Sequence, residues 1–294
     1  MSAADDFTHS EIQLESGTVR YRDLGQGEPI VFVHGLLVDG RLWDGVAKRV
    51  AASGDRAIVP DLPMGSHVIP MKEDADLSPH GQAKLVADLI KALGLERATI
   101  VGNDTGGAVS QMVATRHPEV VERLVLTNCD CFDKFPPFPF SLMPPIARLP
   151  GGMTMLQTPF RIGALARATY GVLAKKKIPA ELVASWLAPG SDSEIRRDTS
   201  KLLAGTHKRL TLEAAEKLKA FDRPALLTWG VDDPFFKLSY AERLQQTIPD
   251  CRLERIADAK TFSPLDQPER IGELIAEFVR TRERSPATAG GKDG

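Results

Sequence analysis

The residues Val101-Gly102-Asn103-Asp104-Thr105-Gly106-Gly107-Ala108 follow an apolar run that begins at Ala98 and open a helical pattern that ends at Arg116. Where a strand turns sharply into a helix, the central residue is held in a strained backbone conformation, and its neighbours must be small. The pattern therefore predicts that the side chain of Asp104 projects from such a turn. The alternative is that Asp104 only caps the helix that begins near Thr105.

Apolar runs and helical periods alternate along most of the chain, which indicates a mostly parallel sheet with helices on both faces. The first two runs are separated by Ser16-Gly17 and predict an antiparallel hairpin at one edge of that sheet. The predicted strands are Glu11 to Leu14, Thr18 to Asp23, Pro29 to His34, Ala57 to Pro60, Ala98 to Gly102, Leu124 to Thr127, Ala225 to Trp229 and Cys251 to Ile256. The predicted helices are Leu42 to Ala52, Gly81 to Leu93, Gly106 to Arg116, Tyr240 to Thr247 and Glu269 to Arg280.

One region breaks this alternation. It starts with the proline-rich run Phe135-Pro-Pro-Phe-Pro-Phe140 and continues with helical segments such as Pro179 to Trp186 and Leu212 to Leu218. We expect a core formed by residues 1–134 and 220–284, with a helical cap at 135–219. The last ten residues, 285–294, have the composition of a disordered tail.

A second motif, His34-Gly35-Leu36, ends the predicted strand from Pro29. Together with residues 101–108, it makes the chain resemble the α/β-hydrolase superfamily over nearly its whole length. The resemblance implies an eight-stranded, mostly parallel sheet with a helical cap inserted. It also implies an oxyanion hole formed by the backbone N–H groups of Leu36 and Thr105. In this motif, His34 is expected to shape the loop.

The aspartate at the turn resembles that of the haloalkane dehalogenases and epoxide hydrolases. This resemblance implies that Asp104 attacks a carbon atom and forms an alkyl-enzyme ester, which water then hydrolyses. The supporting acid implied by the family pattern is Asp233, in Trp229-Gly-Val-Asp-Asp-Pro234, with Asp232 as the less favoured neighbour. Asp130 is a second candidate. It follows the predicted strand Leu124 to Thr127, and some dehalogenase-like proteins carry their acid after the corresponding strand.

The histidine of the family pattern is missing. Thr261 occupies its position in the segment from Asp258 to Glu269, and no histidine follows His207. A threonine hydroxyl cannot act as a base near neutral pH. Lys260, His67 or His207 could activate water instead. Two other readings stay open: Asp104 acts as a base or as an electrostatic group without forming an ester, or the site binds a ligand without turnover.

Other family features are absent as well. Dehalogenases of this type commonly carry tryptophan directly after the nucleophile, where this chain has Thr105. Epoxide hydrolases usually carry cap tyrosines, and the predicted cap contains only Tyr170.

The composition restricts the partners. With 37 Lys and Arg against 39 Asp and Glu, the net charge of −2 gives no electrostatic reason to bind nucleic acid or an anionic membrane. The acidic start of the chain and the lack of a long apolar run predict a cytoplasmic protein. Three cysteines are too few for a disulfide framework.

We therefore expect a hydrolase for a small, mostly apolar molecule, acting on an epoxide, carbon–halogen or ester bond. No metal or organic cofactor is implied. The sequence leaves open whether the protein forms a homodimer. The rival hypotheses are a ligand-binding pseudoenzyme and a non-hydrolytic lyase or isomerase.

Overall fold

The structure, a computed structural model, describes residues 6–281. Its sheet has eight strands in the order β1-β2-β4-β3-β5-β6-β7-β8. The strands are β1 (Thr8–Leu14), β2 (Gly17–Leu24), β3 (Pro29–Val33), β4 (Arg56–Pro60), β5 (Ala98–Asp104), β6 (Val121–Cys129), β7 (Ala225–Gly230) and β8 (Cys251–Ile256). β1 pairs antiparallel with β2, and β2 pairs antiparallel with β4, whereas all other pairs are parallel. The predicted fold class and its antiparallel edge are confirmed.

Helices cover both faces of this sheet. They are α1 (Asp44–Ala52), α2 (Pro79–Ala92), α3 (Thr105–Arg116), α4 (Met143–Ala147), α5 (Gly152–Gln157), α6 (Gly163–Gly171), α7 (Ala180–Leu187), α8 (Ser193–Gly205), α9 (Lys208–Leu218), α10 (Leu238–Thr247), α11 (Ser263–Asp266) and α12 (Pro268–Thr281). Short 3-10 segments lie at Gly40–Trp43, Pro118–Val120, Phe140–Leu142, Thr158–Arg161 and Ala188–Ser191.

The alternation of side chains along β3 divides the core into two layers. Val31 and Val33 belong to the cluster that includes buried residues of α2, α3 and α10. Ile30 and Phe32 belong to the opposite cluster, with buried residues of α1 and α12. Because successive strand residues point to opposite faces, a continuous apolar strand such as β3 must be covered on both sides.

Between β6 and β7, the described chain forms helices α4 to α9 and no strand. The predicted cap at 135–219 falls in this interval. Its last helix, α9, packs against α3, next to the site described below. The predicted tail at 285–294 lies outside the described residues. Within residues 6–281, no helix has both the length and the apolar character needed to cross a membrane.

Candidate active site

Asp104 ends β5 and stands directly before α3, with φ 53° and ψ −130°. A positive φ is strained for a residue with a side chain, and such strain concentrates at functional sites. Its side chain makes no capping hydrogen bond to the first turn of α3. Asp104 is therefore the projecting residue of the turn, and the alternative of a plain helix cap is wrong.

Two glycines make room for this turn. A Cβ atom on Gly106 would lie 2.2 Å from the carbonyl oxygen of His34, so α3 could not approach the end of β3. A Cβ atom on Gly35 would lie 2.3 Å from Oδ2 of Asp104. The motif that contains Gly35 therefore packs directly against the carboxylate.

Backbone N–H groups face the Asp104 carboxylate. The N–H of Leu36 donates to Oδ2 at 3.3 Å, and the N–H of Thr105 also stabilises the charged form. These are the two donors that the resemblance implied for an oxyanion hole. His34 supports their loop: Nε2 accepts the N–H of Leu62 at 2.9 Å, and Nδ1 lies 2.8 Å from the carbonyl oxygen of Gly35. Burial lowers the pKa of His34, so this ring is neutral.

The residue at the expected histidine position meets the expected acid. Thr261 donates its hydroxyl to Oδ1 of Asp233 at 3.1 Å. The backbone N–H groups of Phe235 and Phe236 donate to the same oxygen, and the Asn128 amide donates to Oδ2 at 2.8 Å. Both Asp233 oxygens are thus occupied, and burial nevertheless raises the pKa of this carboxyl.

A cavity of about 110 Å³ lies between Asp104 and the helices that follow β6. Neither Asp233 nor Thr261 lines it. Its walls are mostly apolar, and they contain no histidine, lysine or arginine among the described residues. The lining residues are Leu36, Leu37, Asp104, Thr105, Asp130, Pro136, Pro137, Phe140, Met143, Phe160, Thr169, Tyr170, Leu173, Leu202, Leu203, Thr206 and Phe262.

Asp130 is the second carboxyl of this cavity. Its backbone N–H donates to the carbonyl oxygen of Asp104 at 3.3 Å, and its Oδ2 accepts the hydroxyl of Thr105 at 3.2 Å. Its Oδ1 is buried and has no hydrogen-bond partner in the described structure. Burial first, and then the charge of Asp104, raise the pKa of Asp130 well above its ordinary value.

Burial raises the pKa of Asp104 to about 7, with a smaller contribution from the charge of Asp233. The N–H groups of Leu36 and Thr105 oppose this rise. At neutral pH, Asp104 is therefore partly ionised, and burial together with the charge of Asp104 favours the protonated form of Asp130. Two interacting carboxyls that differ in this way can divide the roles of acid and base.

The surrogate bases considered from the sequence do not reach the cavity. His67 lies 3.3 Å from the Asp198 carboxylate, and it accepts a backbone N–H at its other ring nitrogen. His207 is exposed and caps α9. Lys260 does not line the cavity. Tyr170 does line it, but donates its hydroxyl to the carbonyl oxygen of Leu37 at 2.5 Å.

Two asparagines that the sequence analysis missed fix the surroundings. Asn103 donates to the carbonyl oxygen of Thr261 at 2.7 Å, and Asn128 accepts the N–H of Gly230 at 2.7 Å while it binds Asp233. Polar residues at the carboxyl ends of adjacent parallel strands were the available signal. Within residues 6–281, no group of three or more His, Cys, Asp and Glu side chains is arranged to hold a metal ion.

The family model for the alpha/beta hydrolase fold matches residues 28–268. This range includes both the Leu36 loop and the Thr261 segment. The chain belongs to the alpha/beta hydrolase fold family. Within that family, it is 26% identical over 290 residues to a 2-hydroxy-6-oxo-6-phenylhexa-2,4-dienoate hydrolase from Comamonas testosteroni, a match that covers 93% of this chain and 95% of the relative.

Solved structures share the fold of this alpha/beta hydrolase family member. The haloalkane dehalogenase DbeA from Bradyrhizobium elkani USDA94 superposes with a TM-score of 0.79 at 23% identity, covering 95% of this chain and 99% of that one. The epoxide hydrolase CorEH superposes with a TM-score of 0.77 at 18% identity, covering 92% and 98%. At these identities, the likeness concerns the fold.

Proposed function

We propose that this protein is a hydrolase that opens small, apolar epoxides, with Asp104 as the nucleophile and Asp130 as the acid and then the base. The observation that carries the proposal is the pair of carboxyls on the wall of one apolar cavity, whose described lining residues include no histidine. Asp130 performs the proton transfers that the family's histidine would perform, because the Thr261 hydroxyl at the histidine position cannot act as a base. Asp233 is a structural carboxylate, because its oxygens are bound by the surrounding chain.

In the first step, an oxygen of the Asp104 carboxylate attacks one epoxide carbon, and the carbon–oxygen bond of the ring breaks. The released oxygen takes the proton of the Asp130 carboxyl, whose Oδ1 has no other partner. The products are a hydroxyalkyl ester on Asp104 and a carboxylate at Asp130. The hydroxyl of Thr105, which donates to the other Asp130 oxygen, stabilises that carboxylate.

In the second step, Asp130 takes a proton from water while the water oxygen attacks the ester carbonyl carbon of Asp104. The N–H groups of Leu36 and Thr105 bind the oxyanion that forms. When this tetrahedral intermediate collapses, the bond between the carbonyl carbon and the diol oxygen breaks, and the diol oxygen takes a proton from Asp130. The proton of the new Asp104 carboxyl then passes to Asp130. The pair holds one proton before and after the cycle, so epoxide and water account for every atom of the diol.

A haloalkane would leave this cycle incomplete. A halide ion departs without taking a proton, so Asp130 stays protonated and has no capacity to accept a proton from water. The Asp104 ester should then persist. The same two residues therefore favour epoxides over haloalkanes for turnover, although both can alkylate Asp104.

The cavity also restricts the substrate. Its volume of about 110 Å³ is below the roughly 150 Å³ of an apolar cavity that holds benzene, which favours a molecule of a few carbon atoms. Among the described residues that line it, none carries a positive charge and two carry carboxyls. An anionic dienoate, as in the name of the Comamonas relative, would leave its own carboxylate without a partner there.

Proton transfer without an ester is a second candidate. The same pair could remove a proton at Asp104 and return one from Asp130, as an isomerase or lyase requires. The two candidates differ in one observable: only the nucleophilic reaction attaches the substrate to Asp104.

Intact-protein mass spectrometry with 1-bromobutane and 1,2-epoxybutane tests the proposal. We expect a lasting butyl adduct from the bromide, and diol formation from the epoxide without an accumulated adduct. Asp104→Asn should abolish both. Asp130→Asn should keep the butyl adduct and lower the diol rate by about 10²- to 10⁴-fold.

Diol formation that survives Asp104→Asn would contradict the nucleophile, and diol formation unchanged in Asp130→Asn would contradict the acid. If either compound raises the melting temperature but neither adduct nor product forms, the protein binds without turnover. Both hydrolytic roles would then be wrong.

A further inference from the structure

Exposed apolar side chains are concentrated in one short part of the chain. Among the described residues, ten large hydrophobic side chains are exposed, and seven of them lie between residues 138 and 172. Two of these, Phe138 and Ile162, are 75% and 62% exposed. The other five are Leu142, Leu149, Met155, Leu165 and Val172. We call these seven side chains the cap face. A cluster of exposed apolar side chains on neighbouring elements is typical of an interaction site.

The longer stretch 135–180, which contains the cap face, is strongly basic. Residues 135–180 contain six Arg and Lys and no Asp or Glu, although acidic residues outnumber basic ones in the whole chain. Lys175 pairs with Asp232 and Asp258. For Arg148, Arg167, Lys176 and Lys177, the structure describes no ion pair with any residue between 6 and 281. The net charge of −2 is therefore unevenly distributed: residues 135–180 are positive, and the rest of the chain is negative.

The elements that carry the cap face are contiguous and stand over the cavity. α4 packs against α5, α5 against the 3-10 segment at 158–161, and that segment against α6. Ile162 directly precedes α6 and accepts the backbone N–H of Leu165 in its first turn, so these two exposed residues are close together. Phe140, Met143 and Phe160 belong to the same elements and line the cavity.

We propose that the cap face docks on a membrane surface rich in anionic lipid. Apolar side chains among arginines and lysines are the composition that inserts at the boundary of headgroups and acyl chains. Anionic headgroups attract the unpaired cations. A second copy of the chain suits this surface less well, because a two-fold contact would bring like charges together. The net charge of the whole chain gave no reason to expect binding to an anionic membrane, whereas the local excess of positive charge does.

The proposal does not rest on the proposed reaction. It does give that reaction a source of substrate, because apolar molecules partition into membranes and the cavity lies beneath the docking surface.

Vesicle co-sedimentation of the full chain tests the proposal. The vesicles are phosphatidylcholine alone, or phosphatidylcholine mixed with phosphatidylglycerol at roughly two to one. We expect binding to the mixed vesicles that weakens with added salt. Ile162→Asp combined with Leu165→Asp should weaken this binding about tenfold or more. Lys176→Glu combined with Lys177→Glu should weaken it to a similar extent.

Val231→Asp is the matched control, because Val231 is 40% exposed and Leu165 is 43% exposed, but Val231 lies outside the cap face. It should bind as the parent does. All variants should retain the thermal unfolding transition of the parent, since the altered side chains are at the surface. The proposal is overturned if the parent does not bind mixed vesicles, or if Val231→Asp weakens binding as much as the cap variants. It is also overturned if sedimentation in solution shows a dimer that the cap variants dissociate.

Discussion

At the scale of the residue, burial gives Asp104 two properties at once. The apolar cavity removes water from its carboxylate, which raises the pKa to about 7 and makes the ionised form a better nucleophile. The N–H groups of Leu36 and Thr105 keep enough of that form present near neutral pH. Among the described residues, no backbone N–H donates to the Asp130 carboxyl, and burial raises its pKa well above the ordinary value.

The pH dependence of ester formation follows from this shift. Only ionised Asp104 attacks, and a halide leaving group needs no proton. The rate of butyl-adduct formation from 1-bromobutane should therefore rise with pH through about 7 and level off above it. Quenched samples analysed by mass spectrometry give the rate at each pH. A rate that is flat from pH 5 to 9, or that levels off near the ordinary aspartate pKa of about 4, would exclude a buried Asp104 nucleophile.

At the scale of the element, the close approach of the β3 loop to the end of β5 positions the carboxylate. A Cβ atom on Gly35 would overlap Oδ2 of Asp104, and it would also lie 2.8 Å from the Asp104 Cβ atom. Alanine at this position must displace either the loop with its Leu36 donor or the nucleophile itself. Both displacements harm catalysis, because small errors of position are costly in a reacting pair.

Gly35→Ala should therefore slow butyl-adduct formation by about 100-fold or more. Gly171→Ala is the matched control: a Cβ atom there meets nothing within 4 Å, and the residue ends α6. It should leave the rate unchanged, and replacing a helical glycine should add at most about 1 kcal/mol of stability. Equal rates for Gly35→Ala and the parent would show that the loop does not hold the carboxylate.

The sequence predicted the elements of the core well, because each buried strand must be apolar and each covering helix must have an apolar face. It predicted the turn at Asp104, and it assigned Thr261 to the histidine position and Asp233 to the acid position, which the structure brings within 3.1 Å of each other. It did not locate α4, α5 or α6. These helices are short and follow a run of prolines, so packing against one another and against neighbouring helices, and not local propensity, stabilises them.

The sequence also could not predict that Oδ1 of Asp130 has no hydrogen-bond partner among the described residues. The residue itself was a candidate acid, but its role depends on which groups reach its carboxyl. Thr105 reaches one oxygen and nothing described reaches the other. Asp233, the preferred acid, receives donors from Asn128, Phe235 and Phe236, which only the folded loops bring together.

At the scale of the whole molecule, the part of the chain between β6 and β7 has an excess of Lys and Arg, whereas the rest has an excess of Asp and Glu, and residues of both parts line the cavity. Its two buried carboxyls cost stability when they ionise. The pKa of Asp104 is raised in the folded state, so this group favours folding at low pH, and its contribution is lost as the pH rises from about 4 to about 7.

Asp104→Asn removes this cost because the amide does not ionise. At pH 8, the variant should be more stable than the parent by about 1 to 3 kcal/mol, and the difference should shrink towards zero near pH 4. Urea unfolding at both pH values measures it. A variant that is less stable than the parent at pH 8 would show that burial of the ionised Asp104 carboxylate does not lower the stability of the protein.

The covalent role of Asp104 is tested most directly by a single turnover of 1,2-epoxybutane in H₂¹⁸O, with enzyme in excess. If Asp104 attacks the epoxide, the oxygen added to the first diol comes from its own carboxyl. We therefore predict a diol without ¹⁸O and an Asp104 peptide that has gained one ¹⁸O atom. A diol that carries ¹⁸O, with an unlabelled Asp104 peptide, would mean that water attacks the epoxide directly and would contradict the account.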